Sequence, residues 1–305
     1  MSELAKPRLI TVIANKQSGN GKAGRALPKI ARRLHRELPD AEISIVTSKS
    51  YQDAENLTRT AALAAREGDA VVVIGGDGMA HLGVNACANT AATLGIIPVG
   101  TGNDFARGVG VPTAIDAAVT TIAEGYARVV DLAHISNSRF GQRYVGAVVS
   151  TGYDARVNRA TNNSRIQFGA LSYGYLALRE LAAFQPLRYR LRIDGVERRI
   201  QAMLVAIANT GLFGGGMQIA PDANPADGLL DITIIHPTSR VTLLRMLPTI
   251  YSGGFVGHPA VERLQAHEVS VEGSELFVMG DGEELGEVPV SVRAAAGCLS
   301  IFVAS

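Results

Sequence analysis

The chain has 305 residues, 47% of them hydrophobic and 19% charged, which supplies a sizeable core and excludes a disordered protein. Its net charge of +1 argues against nucleic acid as a partner, and with no Trp and 5% aromatics it lacks a stacking platform for single strands. No apolar run reaches the ~18 residues of a membrane span, and the start leads into a strand rather than a secretory signal.

Strand and helix patterns alternate over the first part of the chain. Leu9 to Ala14 reads as a strand, Ala23 to Leu38 as a helix with Ile30, Leu34 and Leu38 on one face, and Glu42 to Val46 as a strand. An alanine-rich helix follows from Asp53 to Glu67, then a strand from Ala70 to Ile74, a helix from Ala80 to Ala88 and a strand from Thr93 to Ile97. This order predicts a doubly wound parallel α/β sheet, which binds ligands at the carboxyl ends of its strands. Beyond about Val130 short strand-like runs dominate: Tyr144–Ser150, Tyr189–Ile193, Gln201–Asn209, Leu229–Ile235, Glu268–Val271 and Ser300–Val303. Helical inserts are expected at Gly169–Ala183 and Val241–Tyr251. The predicted architecture is α/β plus all-β: a nucleotide-binding domain over 1–131 and a β-sandwich over 132–305, with the active site in the cleft between them. The C-terminal tail is left able to pack back on the first domain.

Cys87 and Cys298 are far apart, lack metal-ligand spacing and read as small buried residues in a reducing cytoplasm. Arg188, Arg190, Arg192, Arg198 and Arg199 cluster in a segment that alternates like a strand. They form either a solvated strand face or a surface for anionic lipid or a partner.

The segment Val71-Val-Val-Ile-Gly-Gly-Asp-Gly78 runs from a buried strand into a turn whose backbone can approach phosphate oxygens closely. A second glycine turn lies in Ile97-Pro-Val-Gly-Thr-Gly-Asn-Asp-Phe-Ala-Arg107, where Asn103 and Asp104 are either helix caps or site residues. Both turns fall at the same sheet edge, and each brings a carboxylate. Phosphoryl transfer needs glycine turns for phosphates, carboxylates for magnesium and a base for the acceptor hydroxyl. Asp77 and Asp104 are candidates for the metal and base roles. Two downstream clusters have two readings each. Val278-Met-Gly-Asp-Gly-Glu-Glu284 is a hairpin turn or a carboxylate site. Asp222, Asn224, Asp227 and Asp231 form an Asx-rich turn or a set of hard oxygen ligands. Gly19-Asn-Gly-Lys-Ala-Gly24 has dinucleotide-fingerprint spacing, but Asn15 to Ser18 intervene after the strand and no acidic residue follows the next one. Lys22 is followed by Ala23, so it is no Walker A loop either.

Together these segments resemble the diacylglycerol kinase catalytic family, which includes bacterial lipid kinases and is related to the sphingosine kinases. The resemblance rests on Asn15-Lys-Gln-Ser-Gly19, Thr47 before a helix, Gly75-Gly-Asp-Gly78, Pro98-Val-Gly-Thr-Gly-Asn-Asp-Phe-Ala-Arg107, the Pro221–Asp231 loop and Asp281-Gly-Glu283. It implies an ATP- and Mg2+-dependent kinase for a lipid hydroxyl, diacylglycerol first; access to that lipid fits a cytoplasmic enzyme in peripheral contact with the inner membrane face, and oligomeric state is left open, a homodimer being the ordinary prior. Asn15, Thr47, Gly75, Gly76, Asp77, Gly78, Met79, Ala80, His81, Thr101 and Asn103 then fall at nucleotide-binding positions. Glu283 falls at the proton acceptor and Asp104 at a base or its partner. Asp77 would organise magnesium and the facing Asn103–Asp104 loop. Asn224, Asp227 and Leu229 fall at a structural magnesium site that includes main-chain oxygens. The chain departs from the family at Met79, where threonine is usual, and at His81 and Leu82, where Asn and Glu are usual.

Other acceptors remain open: a sphingoid base, phosphatidylglycerol, or a soluble acceptor as in NAD kinase, which shares the Gly-Gly-Asp-Gly turn. A non-catalytic nucleotide-binding protein is a further alternative, made conceivable by Met79 and Leu82. The glycine-rich run Gly211–Met217 and the segment Leu171–Phe184 are candidate linings for acyl chains or ordinary core.

Overall fold

The computed structural model describes residues 6–139, 141–152, 185–274 and 276–305. The expected helix at Gly169–Ala183 and the candidate lining Leu171–Phe184 lie outside these residues.

The first unit begins with β1 (Leu9–Asn15), α1 (Lys22–Glu37), β2 (Glu42–Ser48), α2 (Tyr51–Ala64) and β3 (Ala70–Gly75). It continues with α3 (Asp77–Cys87), β4 (Thr93–Pro98), α4 (Asp104–Gly108) and α5 (Ile115–Glu124). The four strands are parallel in the order β2-β1-β3-β4. Helices α1 and α5 contact each other, as do α2 and α3, and the two pairs join separate apolar clusters, so the sheet is covered on both faces. That burial explains why Val71, Val72, Val73 and Ile74 form an unbroken apolar run. Each is at most 1% exposed, and each contributes about 1.5–3 kcal/mol relative to an exposed side chain. The strand order reverses between β1 and β3, which places a ligand crevice at their carboxyl ends.

The second unit comprises β5 (Ala127–Asn137), β6 (Gly141–Val145), β7 (Val148–Gly152), β8 (Leu187–Ile193), β9 (Val196–Ala202), β10 (Leu204–Ala208), β11 (Leu212–Phe213) and β12 (Met217–Gln218). After it come β13 (Leu230–Ile235), α6 (Arg240–Ile250), β14 (Val261–Ala266), β15 (Glu268–Gly273), β16 (Phe277–Gly280), β17 (Glu283–Glu287) and β18 (Val290–Phe302). An antiparallel sheet in the order β14-β13-β10-β7-β16-β17 faces strands β5, β6, β8, β15 and β18 across a core that includes Val205, Ile207, Ile232, Leu191, Val269 and Val292. The molecule is thus a parallel α/β layer structure followed by an antiparallel sandwich.

Strand β18 belongs to both units. Its start pairs antiparallel with β15, while Ser300 and Ile301 pair parallel with Thr93 and Leu94 of β4. Strand β5 runs unbroken through Asp131, whose carboxylate accepts from the backbone of Gly228 and Gly297 at 2.7 Å each.

Two runs read as single strands are each divided between sheets. Tyr144–Ser150 turns at Gly146–Ala147, because Asp281 accepts both backbone N–H groups and withdraws them from either ladder. Gln201–Asn209 turns at Met203, whose N–H goes to Ile235. The sequence reading also passed over α5 and β5. Cys298, expected to be buried, is only partly so. Burial pushes the Cys87 thiol to about 12 and the Cys298 thiol to about 11, so both stay protonated and unreactive at neutral pH.

Candidate active site

Helix α3 starts at Asp77, directly after β3, with Gly76 in the capping position. Its first turn therefore presents Gly78 and Met79 at the crevice, where helical N–H groups lack intrahelical partners and attract anions. The turn after β4 meets it backbone to backbone. A Cβ on Gly76 would lie 3.2 Å from the Gly100 Cα, and one on Gly100 would lie 2.6 Å from the Gly76 Cα. Both positions require glycine for this approach.

Asp77 fastens the two turns. Its Oδ2 accepts from the Asn103 backbone at 2.9 Å and its Oδ1 from the Asp104 backbone at 2.7 Å. Asn103 sits in the left-handed region at φ 54°, and its amide donates to the Gly100 carbonyl at 2.9 Å. Asp104 is 7% exposed. Its Oδ2 accepts from Gly215 N at 2.7 Å, while its Oδ1 is buried with no hydrogen-bond partner. Burial raises both carboxyls above the ordinary carboxylate value, against the lowering effect of the backbone N–H groups.

Glu283 opens β17 beyond the hairpin turn Asp281-Gly282 and reaches across to α3. Its Oε1 would stand 3.3 Å from a Cβ on Gly78, and the ring of Tyr51 would stand 3.5 Å from the same point. Partial burial, then the charge of Glu283, raises the Tyr51 phenol above its ordinary value. Ser50 caps α2 by accepting from Asp53 N at 3.1 Å, and Asp53 reaches back to Lys49 N at 2.7 Å; this fixes Tyr51 just beyond Thr47.

The remaining expected residues spread around this centre. Asn15 ends β1, with its side chain accepting from Gln17 N at 3.0 Å, and Thr47 lies on the neighbouring β2. Gly19 approaches the other turn: its Cβ would lie 2.5 Å from the Val99 carbonyl oxygen. Thr101 is exposed. Met79 is buried beneath Gly75, Ala80 is buried, and the His81 ring bonds to Asp281 at 3.1 Å. The glycine-rich 211–217 run folds over α4, where Gly215 holds Asp104. Gly215 lies in the run read as an acyl-chain lining or ordinary core and also holds Asp104, whereas Tyr51 and Asn85, which brackets the Tyr144 backbone, escaped the sequence reading, with the Ser50 cap as a signal for Tyr51.

The loop 222–231 is separate. Asp227 Oδ1 accepts from Leu229 N at 3.0 Å, Asn224 Oδ1 accepts from Arg128 at 3.2 Å, and Asp222 pairs with Arg263 at 2.9 Å. Among the described residues no group of three or more His, Cys, Asp or Glu side chains converges as a metal shell. The donors Asn224, Asp227 and Leu229 are hard oxygens suited to magnesium, but Asn224 must first leave the Arg128 guanidinium.

Facing glycine turns, two buried aspartates and a carboxylate above the helix start come together where the α/β unit meets the sandwich. Comparison with known proteins gives the family. Residues 9–135 match the diacylglycerol kinase catalytic domain, and residues 147–303 match the YegS C-terminal NAD kinase beta sandwich-like domain. Diacylglycerol kinase of Mycobacterium tuberculosis H37Rv is 37% identical over 96% of this chain and 94% of its own length. That of Bacillus subtilis 168 is 28% identical over 91% and 90%. A solved diacylglycerol kinase from Bacillus anthracis Sterne, 22% identical, superposes over 98% of each chain with a TM-score of 0.74 and supports the fold. The chain belongs to the diacylglycerol kinase family and is a kinase that phosphorylates an alcohol acceptor.

Proposed function

We propose that the protein transfers the γ-phosphoryl group of MgATP to a lipid hydroxyl, with diacylglycerol the foremost acceptor. The observation that carries this reading is the placement of Glu283 over Gly78, at the helix start that presents backbone to phosphate. The crevice formed by Asn15, Thr47, Gly75, Gly76, Gly78 and Thr101 receives the nucleotide. Asp77 acts by holding Asn103 and Asp104 rather than by leaving its oxygens open. Glu283 takes the acceptor's proton as that oxygen attacks the γ-phosphorus in line. Asp104, with one buried unpaired oxygen, faces the same cleft and supports the base. Magnesium carried with ATP offsets charge on the phosphates.

Lipid access suggests a peripheral membrane enzyme of the cytoplasmic face. Arg188, Arg190 and Arg192 stand exposed on one side of β8, with Arg199 opposite Arg190 on β9. Arg188, Arg190 and Arg199 line a groove of about 980 Å³. Glu272 and Glu197 lie near Arg190, whereas Arg188 and Arg192 form no ion pair among the described residues.

The test is transfer of labelled γ-phosphate to diacylglycerol, a sphingoid base and phosphatidylglycerol in mixed micelles, with NAD as the soluble acceptor. Glu283→Gln is expected to lose about 10²–10⁴-fold in turnover while still binding ATP. Near-normal turnover of that variant refutes the base assignment. Label in NAD alone moves the chain to a soluble acceptor.

A further inference from the structure

His81 occupies a position expected to contact nucleotide, and its ring is bonded to the hairpin that carries Glu283. It is 7% exposed and bonds through Nδ1 to Asp281 Oδ2 at 3.1 Å. The roles in this contact are fixed by the neighbours. The Asp281 carboxylate already accepts from Gly146 N at 2.9 Å and Ala147 N at 2.7 Å, so the imidazole Nδ1 is the donor. On the other side, Asn85 Oδ1 accepts from Tyr144 N and its Nδ2 donates to Tyr144 O, both at 2.8 Å. The same Asn85 Nδ2 donates to the His81 carbonyl oxygen at 3.0 Å and lies 3.3 Å from His81 Nε2, so Asn85 packs against the far side of the ring. The ring is a strut, tied to the hairpin through Nδ1 and flanked by Asn85.

What the strut supports is the hairpin that carries Glu283. Asp281 and Gly282 have φ of 51° and 85°, the pair of left-handed residues that closes a two-residue β-hairpin turn. Glu283 follows at once as the first residue of β17. Among the described residues β17 pairs with β16 alone, and the hairpin tip is held to the β6–β7 turn and to α3 through the Asp281 carboxylate. Two links therefore join α3 to the hairpin. Glu283 stands over Gly78, and one helical turn further on His81 holds Asp281, two residues before Glu283. Residues three apart on a helix share a face, which is why one face of α3 meets both.

We infer that His81 is a positioning residue for Glu283, acting through Asp281; this rests on Glu283 being the proton acceptor. The link fixes where the carboxylate stands over the helix start. Loosening it leaves the nucleotide crevice intact and misplaces the base, and a displacement of about 1 Å in a catalytic group costs on the order of 10²-fold in rate.

The experiment compares His81→Ala, His81→Asn and His81→Gln in the full chain. The Nδ2 of asparagine falls where the histidine Nδ1 stands, whereas glutamine places its amide one carbon further out. His81→Ala is expected to lower kcat by roughly 10–100-fold with the ATP Kd within about twofold of wild type. His81→Asn restores most of the rate and His81→Gln does not. In a Glu283→Gln background His81→Ala costs no further turnover, because the group it positions is gone. Hydrogen exchange of 277–287 is faster in His81→Ala than in wild type, a readout independent of turnover. A tenfold weaker ATP Kd with unchanged kcat, a full additional loss in the Glu283→Gln background, or unchanged exchange in the hairpin overturns the inference. If wild type phosphorylates no acceptor, the base assignment fails and takes the catalytic role of His81 with it. The exchange measurement then still decides whether His81 holds the hairpin.

Discussion

Replacing Gly100 by alanine tests the idea that the site is built by backbone contact between two turns. The new methyl would stand 2.6 Å from the Gly76 Cα and 2.9 Å from the Asn103 Oδ1. Carbon atoms rest at about 3.5–4.0 Å, so the turn must retreat by about 1 Å from a backbone atom that cannot rotate away. The bonds from Asn103 N and Asp104 N to Asp77, 2.9 and 2.7 Å long, then stretch beyond hydrogen-bonding distance. Overpacking costs about 1–3 kcal/mol, and weakening two bonds to a buried carboxylate adds about 1.5–3 kcal/mol for each one lost. The expected total with both bonds lost, roughly 4–9 kcal/mol, is a large part of a domain's stability. Gly76→Ala should be milder, because its methyl meets Gly100 at 3.2 Å and a small shift relieves it. Gly257→Ala, with nothing within 4 Å of its methyl, serves as the control. Thermal unfolding and ATP-binding calorimetry on the three variants give the ranking. Equal stability and nucleotide affinity for Gly100→Ala and the control, or a larger loss in Gly76→Ala than in Gly100→Ala, would refute the contact argument.

Asp104 bears on pH dependence. Because burial raises its pKa in the folded protein, the folded state binds the proton more tightly than the unfolded chain. Its contribution to stability therefore falls as pH rises from the ordinary carboxylate value through the raised one, and the whole cost stands above it. The stability of Asp104→Asn minus that of wild type should thus increase with pH across the acid range, as read from denaturant midpoints, and a flat or falling difference contradicts the assignment. Arg188→Glu with Arg192→Glu should weaken sedimentation with phosphatidylglycerol vesicles by at least about 2 kcal/mol, at about 1 kcal/mol per basic residue lost near the surface. Turnover on detergent-dispersed diacylglycerol should stay near wild type, and unchanged vesicle binding removes this face as the docking surface.

The first unit was legible because its elements carry their signals locally. β3 is an apolar run stopped by glycines, and α1 has Ile30 and Leu34 at helical spacing with both side chains buried. The second unit was legible in class but not in detail. Gly146 and Met203 mark the places where a continuous strand pattern changes sheet, and the cause lies in bonds to Asp281 and Ile235, far away in sequence. The facing glycine turns could be read as a phosphate cradle. Their mutual contact could not, since it depends on the register of β3 against β4, which sets Gly75 opposite Pro98.

Asp281 shows why the site resists a purely local reading. As a sequence feature, Asp281-Gly282 has the signature of a hairpin turn, and it is one. The same carboxylate also bonds the β6–β7 crossover and His81, one turn along α3 from Gly78, so a turn residue ties the sandwich to the nucleotide helix. Asp77 repeats the pattern: it opens a helix and at the same time fastens the turn beyond the next strand. In both cases a short acidic side chain beside glycine serves local geometry with its backbone and a remote element with its oxygens. A carboxylate next to a glycine turn therefore marks where two segments meet as much as where metal binds, and only the register of the surrounding strands decides which.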